Sequence, residues 1–140
     1  MHIVINDHTT IGEIEKTFIN FYPYLEIHFY RRPHLSYERS AENERIASHI
    51  PVGSIKKTHT DGILEILPEN KVLLVEKELY EKFGLAAQIL RKQKDILVQT
   101  TGEDDFTLKE LNLYSRNSSD DYILEEEDID TGEEKPEKLL

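Results

Sequence analysis

The segment VEKELYEKFGL (75–85) repeats the pattern of an earlier segment, IEKTFINFYPYL (14–25). Each has a β-branched residue followed by Glu-Lys, then a bulky residue three positions after the Glu, and finally aromatics, a chain breaker and a leucine. With an offset of 61 residues, apolar residues recur at the spacing i, i+3, i+7, i+11, which is typical of the buried stripe of an amphipathic helix. The aligned residues are Ile11, Ile14, Phe18 and Tyr22 in the first segment and Val72, Val75, Leu79 and Phe83 in the second. The pattern therefore predicts two corresponding helices.

Local signals predict where these helices begin and end. Thr10 and Glu13 form a Thr-x-x-Glu capping box at the start of the first helix. Asn70 is the expected cap of the second helix. Pro23 and Gly84 occupy corresponding positions and are expected to terminate the two helices.

Alternating apolar segments flank both helices and predict strands. HIVIN and GILEIL precede the helices, while YLEIHFYRR and LAAQILRK follow them, and each following segment ends in a basic pair. The chain thus reads as a β-α-β unit used twice, at about 1–32 and 62–99. This organisation predicts an α/β (α+β) fold with both helices on one face of a single sheet. A ferredoxin-like two-layer sandwich is the simplest architecture of that kind.

The remaining segments complete one folded domain over residues 1–117. QILRKQKDILVQTT predicts a hairpin that turns at Gln93-Lys94, and DDFTLKELNLYS predicts a short closing helix with Asp105 as its cap. The connecting segment 33–61 is too long for a plain loop, so it either has its own structure, such as a helix at SAENERIASHI, or contains the functional site. It also weakly echoes 93–117, which would make the repeat about 60 residues long.

FGLAAQILRK, followed by ILVQTTGEDDFTL, resembles a family of small bacterial proteins with a similar FGL–strand–Thr-Thr–Asp–Thr-Leu pattern. The resemblance covers roughly residues 62–112. It implies no activity, cofactor or partner.

Composition favours a cytoplasmic protein with an acidic tail. The chain has no cysteine, which excludes disulfides and thiolate chemistry, and no apolar run approaches the roughly 18 residues of a membrane span. The start of the sequence lacks a secretory signal pattern. Of the net charge of −11, residues 118–140 carry −8, so we expect a disordered acidic tail there.

No motif in the sequence indicates catalysis, a metal or a cofactor. The six histidines form no His-x-x-x-His pair: His2, His8, His28, His34, His49 and His59. The sequence contains neither a Gly-x-Ser-x-Gly elbow nor a Walker loop. We therefore expect polar surface histidines, no metal site and no catalytic residue.

The function that we expect is a non-enzymatic protein–protein interaction or adaptor module, with a partner protein or a second copy bound at an open sheet edge. The expected contact residues are Arg31, Arg32, Arg91 and Lys92 at strand ends and Tyr122, Ile123 and Leu124 in the tail. The tail either only adds solubility or docks into a partner through its Tyr-Ile-Leu segment.

Two alternatives remain open at this stage. The first is a nucleic-acid-binding regulator that uses the same basic residues, with Tyr30 and Tyr37 as stacking faces and the acidic tail as an autoinhibitor. The second is an enzyme that draws histidine and acidic residues from 28–61.

Overall fold

The computed structural model describes residues 1–32, 42–55, 61–100 and 105–125, with side chains described as far as Ser119. These residues form a mixed α/β structure with two antiparallel sheets and four helices. The elements are β1 (His2–Ile5), α1 (Ile11–Phe21), β2 (Leu25–Tyr30), a 3-10 turn (Glu42–Glu44), α2 (Val52–Ile55), β3 (Gly62–Glu65), α3 (Val72–Phe83), β4 (Ala86–Gln93), β5 (Ile96–Gln99) and α4 (Leu108–Glu125).

The described strands divide between two sheets, so the ferredoxin-like arrangement is not confirmed. β1 pairs with β3, and a second sheet has the order β2-β4-β5. The predicted order of elements, β-α-β twice, is present, but α1 and α3 each connect strands of different sheets. One apolar core joins both sheets, since Ile5 and Leu64 belong to the same buried cluster as Ile27 and Ile89. The helices therefore bridge two sheets instead of crossing over within one.

Both sheets are arranged about an approximate two-fold axis. A shift of 60 residues carries His28 onto Gln88, which is its own register partner in the β2–β4 pair. A shift of 61 residues carries Ile3 onto Leu64, which is its own register partner in the β1–β3 pair. The two halves of the chain thus face each other antiparallel in each sheet.

Backbone contacts outside the sheets repeat in the same way. Ile11 N–H donates to Ile50 O at 2.9 Å, and the corresponding Val72 N–H donates to Phe106 O at 3.0 Å. Two further matched bonds run from Val52 N to Thr9 O (2.8 Å) and from Leu108 N to Asn70 O (2.9 Å). The start of α2 therefore corresponds to the start of α4. In place of the helix suggested for SAENERIASHI, this part of the connecting segment forms the 3-10 turn and α2.

The helix stripe agrees with the sequence, but one cap does not. All eight aligned stripe residues are buried. Thr10 and Glu13 form the reciprocal capping box. The N-cap of α3, however, is Lys71, and the Asn70 side chain instead accepts a hydrogen bond from Leu67 N–H at 2.8 Å. Gly84 ends α3 in the left-handed region, at φ 71°.

The end of the chain also differs from expectation in two places. The hairpin turns at Lys94-Asp95, because Gln93 pairs with Ile96. Helix α4 begins with reciprocal Thr107–Glu110 bonds (3.0 and 3.1 Å), not with Asp105. It continues to Glu125 and so includes residues 118–125, which were predicted to be disordered. Residues 126–140 lie outside the described part of the chain. None of the helices described is both long and apolar enough to cross a membrane.

Candidate functional site

The basic residues predicted from sequence lie at opposite ends of the central strand pair. β2 and β4 are antiparallel, and Arg91 stands opposite Leu25, at the start of β2. Arg31 follows the end of β2, six residues from Leu25, which corresponds to about 20 Å along a strand. The approximate symmetry therefore separates the two basic pairs instead of bringing them together.

Most of these basic side chains also have partners within the chain. The Arg32 guanidinium donates to both carboxylate oxygens of Glu44, which holds the pKa of that carboxyl below its usual range. Arg91 is buried, lies 5.1 Å from the Tyr114 ring centroid and donates to Gln93 Oε1 at 3.0 Å. Tyr30, the expected stacking residue, is buried. The described basic residues thus form no shared surface for phosphate.

Other predicted contact residues are placed only in part. Tyr122, Ile123 and Leu124 lie in the last turns of α4, and their side chains fall outside the described part. Tyr37, His34 and His59 are also outside the described residues. Among the residues described, no three histidine or acidic side chains are grouped as metal ligands.

An unpredicted cavity lies beside β2, with a volume of about 380 Å³. One side of it is formed by a face of α1, including Glu15, Lys16 and Ile19. Residues 26–28 of β2 form the second side, and Arg45 and Ser48 close it. Gly12 sets the approach of the closing segment, because its N–H donates to Ser48 O at 2.8 Å and a Cβ there would lie only 3.0 Å from that oxygen.

Glu15 organises the closing side of the cavity. Its Oε1 accepts from Ser48 Oγ at 2.9 Å, and its Oε2 lies 3.5 Å from Arg45 Nη2. Arg45 Nη1 is also 3.8 Å from Glu42 Oε2. The carboxylate and guanidinium therefore fix each other at the entrance.

His28 presents an unpartnered nitrogen at this cavity. The imidazole is only 5% exposed, and its Nε2 lies 2.9 Å from Glu26 Oε1. A carboxylate only accepts, so Nε2 carries the proton and Nδ1 of the neutral ring is an acceptor. Nδ1 has no hydrogen-bond partner in the described part of the chain.

A second unpartnered group, the Tyr30 hydroxyl, lies close to the same charges. Tyr30 is 3% exposed, and its hydroxyl also lacks a hydrogen-bond partner in the described part of the chain. Burial raises the pKa of this phenol to about 12, with further contributions from Glu42 and Glu15 that Arg45 opposes. Because Glu15 and Arg45 line the cavity, Tyr30 belongs to its electrostatic surroundings.

A separate exposed apolar surface lies on the two-stranded sheet. Val4 and Ile63 are register partners, 59% and 58% exposed, on the outward side of β1 and β3. Beside them His2 Nε2 lies 2.9 Å from Glu65 Oε2. We call these four residues the ribbon face.

Sequence reasoning missed both features for different reasons. It treated His28 as a surface histidine, although its alternation with Ile27 and Phe29 already placed it on one face of β2. The partners across the cavity come from residues 45 and 48, and no local pattern connects them to β2. A scan of protein-family models and searches of curated proteins and solved structures find no match to this chain.

Proposed function

We propose that this protein is a non-enzymatic interaction module that binds a basic protein partner through the ribbon face. The carrying observation is the opposed pair Val4 and Ile63, two aliphatic side chains of which more than half is exposed, on the same face of a two-stranded sheet. An aliphatic centre beside a charged pair, here His2 and Glu65, matches the core-and-rim organisation of protein interfaces.

Charge favours a different protein over a second copy of this one. The chain carries −11, so two copies repel each other over long range, whereas a basic surface is attracted. The same charge opposes nucleic acid, and the separation of Arg31 from Arg91 removes the basic patch on which that alternative depends. Tyr122, Ile123 and Leu124 remain candidates for additional contacts.

The test is affinity capture from the host with nuclease-treated eluates, followed by binding measurements with the purified partner. The variant is Val4→Thr with Ile63→Thr, which keeps the β-branched shape and removes apolar surface. Losing burial of two partly exposed aliphatic groups should weaken Kd by about 10- to 30-fold. Ile96→Thr is the matched control, because Ile96 is 60% exposed on β5, in the other sheet.

Three results would contradict the proposal. The first is equal weakening by the control and the double variant. The second is recovery of nucleic acid in place of a protein. The third is a homodimer in sedimentation that the double variant converts to monomer. For the proposed partner, the association rate should also fall as salt concentration rises.

A further inference from the structure

The approximate symmetry of the fold identifies where the two halves differ chemically. Glu15 and Glu76 are equivalent by the 61-residue shift, and His28 and Gln88 by the 60-residue shift. In the second half Glu76 Oε2 accepts from Ile89 N–H at 2.8 Å. The Gln88 amide there donates to Ile89 O at 3.1 Å.

The first half keeps the acid but leaves the equivalent space open. Glu15 is turned to Arg45 and Ser48, and His28, in the place of Gln88, has a free acceptor at Nδ1. A buried polar atom without a partner costs about 1–3 kcal/mol, so a donor supplied from outside would be favoured. The difference between the halves is therefore the cavity itself.

The β2 backbone adds one donor and one acceptor to this cavity. Both backbone groups of Ile89 are used on its far side, by Glu76 and by Thr100 Oγ, which donates to Ile89 O at 2.6 Å. Ile27 and Ile89 are register partners and hence a non-hydrogen-bonded pair. The N–H and C=O of Ile27 consequently point to the opposite edge of β2, toward the cavity that Ile27 lines.

The chemistry of the lining selects the ligand class. The charged residues lining the cavity, Glu15 and Glu26 against Lys16 and Arg45, cancel formally, so an ion gains no net attraction. Hydroxyl groups both donate and accept, which suits alternating acids and bases, and Ile19 and Ile27 offer an apolar wall. At about 380 Å³ the cavity is near the lower end of ligand sites, which span about 300–1,000 Å³.

We propose that this cavity binds a compact, uncharged ring carrying vicinal hydroxyl groups, one of which donates to His28 Nδ1. A monosaccharide and the ribose of a nucleoside share this chemistry. The site is independent of the ribbon face, since it lies beside β2, a strand of the other sheet, and uses none of the ribbon-face residues.

The test is an NMR titration of the labelled full-length chain with D-glucose, D-ribose and uridine, followed through the ring nitrogens of His28. We expect saturable binding and a shift of the Nδ1 resonance with at least one probe. Binding of glucose and ribose identifies a monosaccharide site, whereas binding of uridine alone identifies a nucleoside site. Sodium acetate and ammonium chloride serve as ionic probes, and tighter binding of either one would overturn the proposal.

Substitution separates the acceptor from the shape of the site. His28→Leu removes the acceptor and should weaken binding about tenfold or more. His28→Gln restores an acceptor oxygen and should recover much of the affinity, while His49→Leu, at an exposed histidine outside the lining, should change nothing. Unchanged affinity in His28→Leu overturns the proposal. So does the absence of any saturable shift in the wild-type ring, a readout that does not depend on whether the variant folds.

Discussion

Replacing Tyr30 by phenylalanine should stabilise this protein, although it removes a polar group. The hydroxyl is buried without a hydrogen-bond partner in the described part of the chain, so folding strips it of water and returns nothing. A buried unsatisfied group of this kind costs about 1–3 kcal/mol, whereas the ring itself stays packed in Tyr30→Phe. We expect the free energy of unfolding to rise by about 1 kcal/mol, or the Tm by roughly 3–6 °C.

The pH dependence gives a second, independent readout with a definite sign. In the unfolded chain Tyr30 ionises near its ordinary pKa of 10.0, whereas burial raises the pKa of the folded group to about 12. Below pH 10 neither state ionises, so this contribution to stability is fully present. Between pH 10 and 12 the unfolded state releases its proton first, and the wild type loses about 2–3 kcal/mol relative to Tyr30→Phe.

The assay is urea unfolding of both proteins at pH 7 and at steps from 9 to 12, with ultraviolet absorbance to follow tyrosinate. Tyr80→Phe is the control, because Tyr80 is exposed and should differ little from the wild type. The reasoning is refuted if Tyr30→Phe is less stable at pH 7. It is also refuted if the difference between the two proteins stays constant from pH 9 to 12.

Three further changes test the local structure. Glu76→Leu leaves the buried Ile89 N–H without its acceptor and should lower the free energy of unfolding in urea by about 2–3 kcal/mol. Glu76→Gln keeps an acceptor oxygen and should lose much less, and equal losses would contradict this. Thr107→Ala removes one half of the cap of α4 and should cost about 1 kcal/mol with faster amide exchange in the first turn; unchanged exchange there would show that another contact holds the helix start. Gly84→Ala forces a Cβ into the left-handed region and should lower stability by about 1 kcal/mol in thermal unfolding. Gly62→Ala, where a Cβ meets only an ordinary 3.6 Å contact with Phe83, should cost less, so the reverse order would argue against backbone strain at Gly84.

Local signals in the sequence were sufficient for the helices and for the order of elements. The stripe that includes Ile14 and Val75 is buried as its spacing predicts, and the Thr10–Glu13 cap forms as expected. The cap of α4 was equally readable, since Thr107 and Glu110 have the same Thr-x-x-Glu spacing as Thr10 and Glu13. These features depend on residues within one or two turns of each other, so the sequence contains all the interacting groups side by side.

Strand pairing needed the tertiary structure. The alternation in HIVIN and GILEIL predicts two strands but does not state that β1 pairs antiparallel with β3 in a sheet of its own. The same antiparallel pairing puts Arg31 and Arg91 at opposite ends of the β2–β4 pair, although the repeat makes them look equivalent. Register across 60 residues is decided by how both apolar faces fill one core, and alternation within a strand carries no information about its neighbour.

The cavity was decided by tertiary structure for the same physical reason. The sequence by itself determined that His28 sits on one face of a strand and Glu15 on the side of a helix. Only the folded chain brings Arg45 and Ser48 onto Glu15 and leaves Nδ1 of His28 without a partner. A hydrogen bond is satisfied or left open by atoms within about 3 Å, and such neighbours come from segments that only packing brings together.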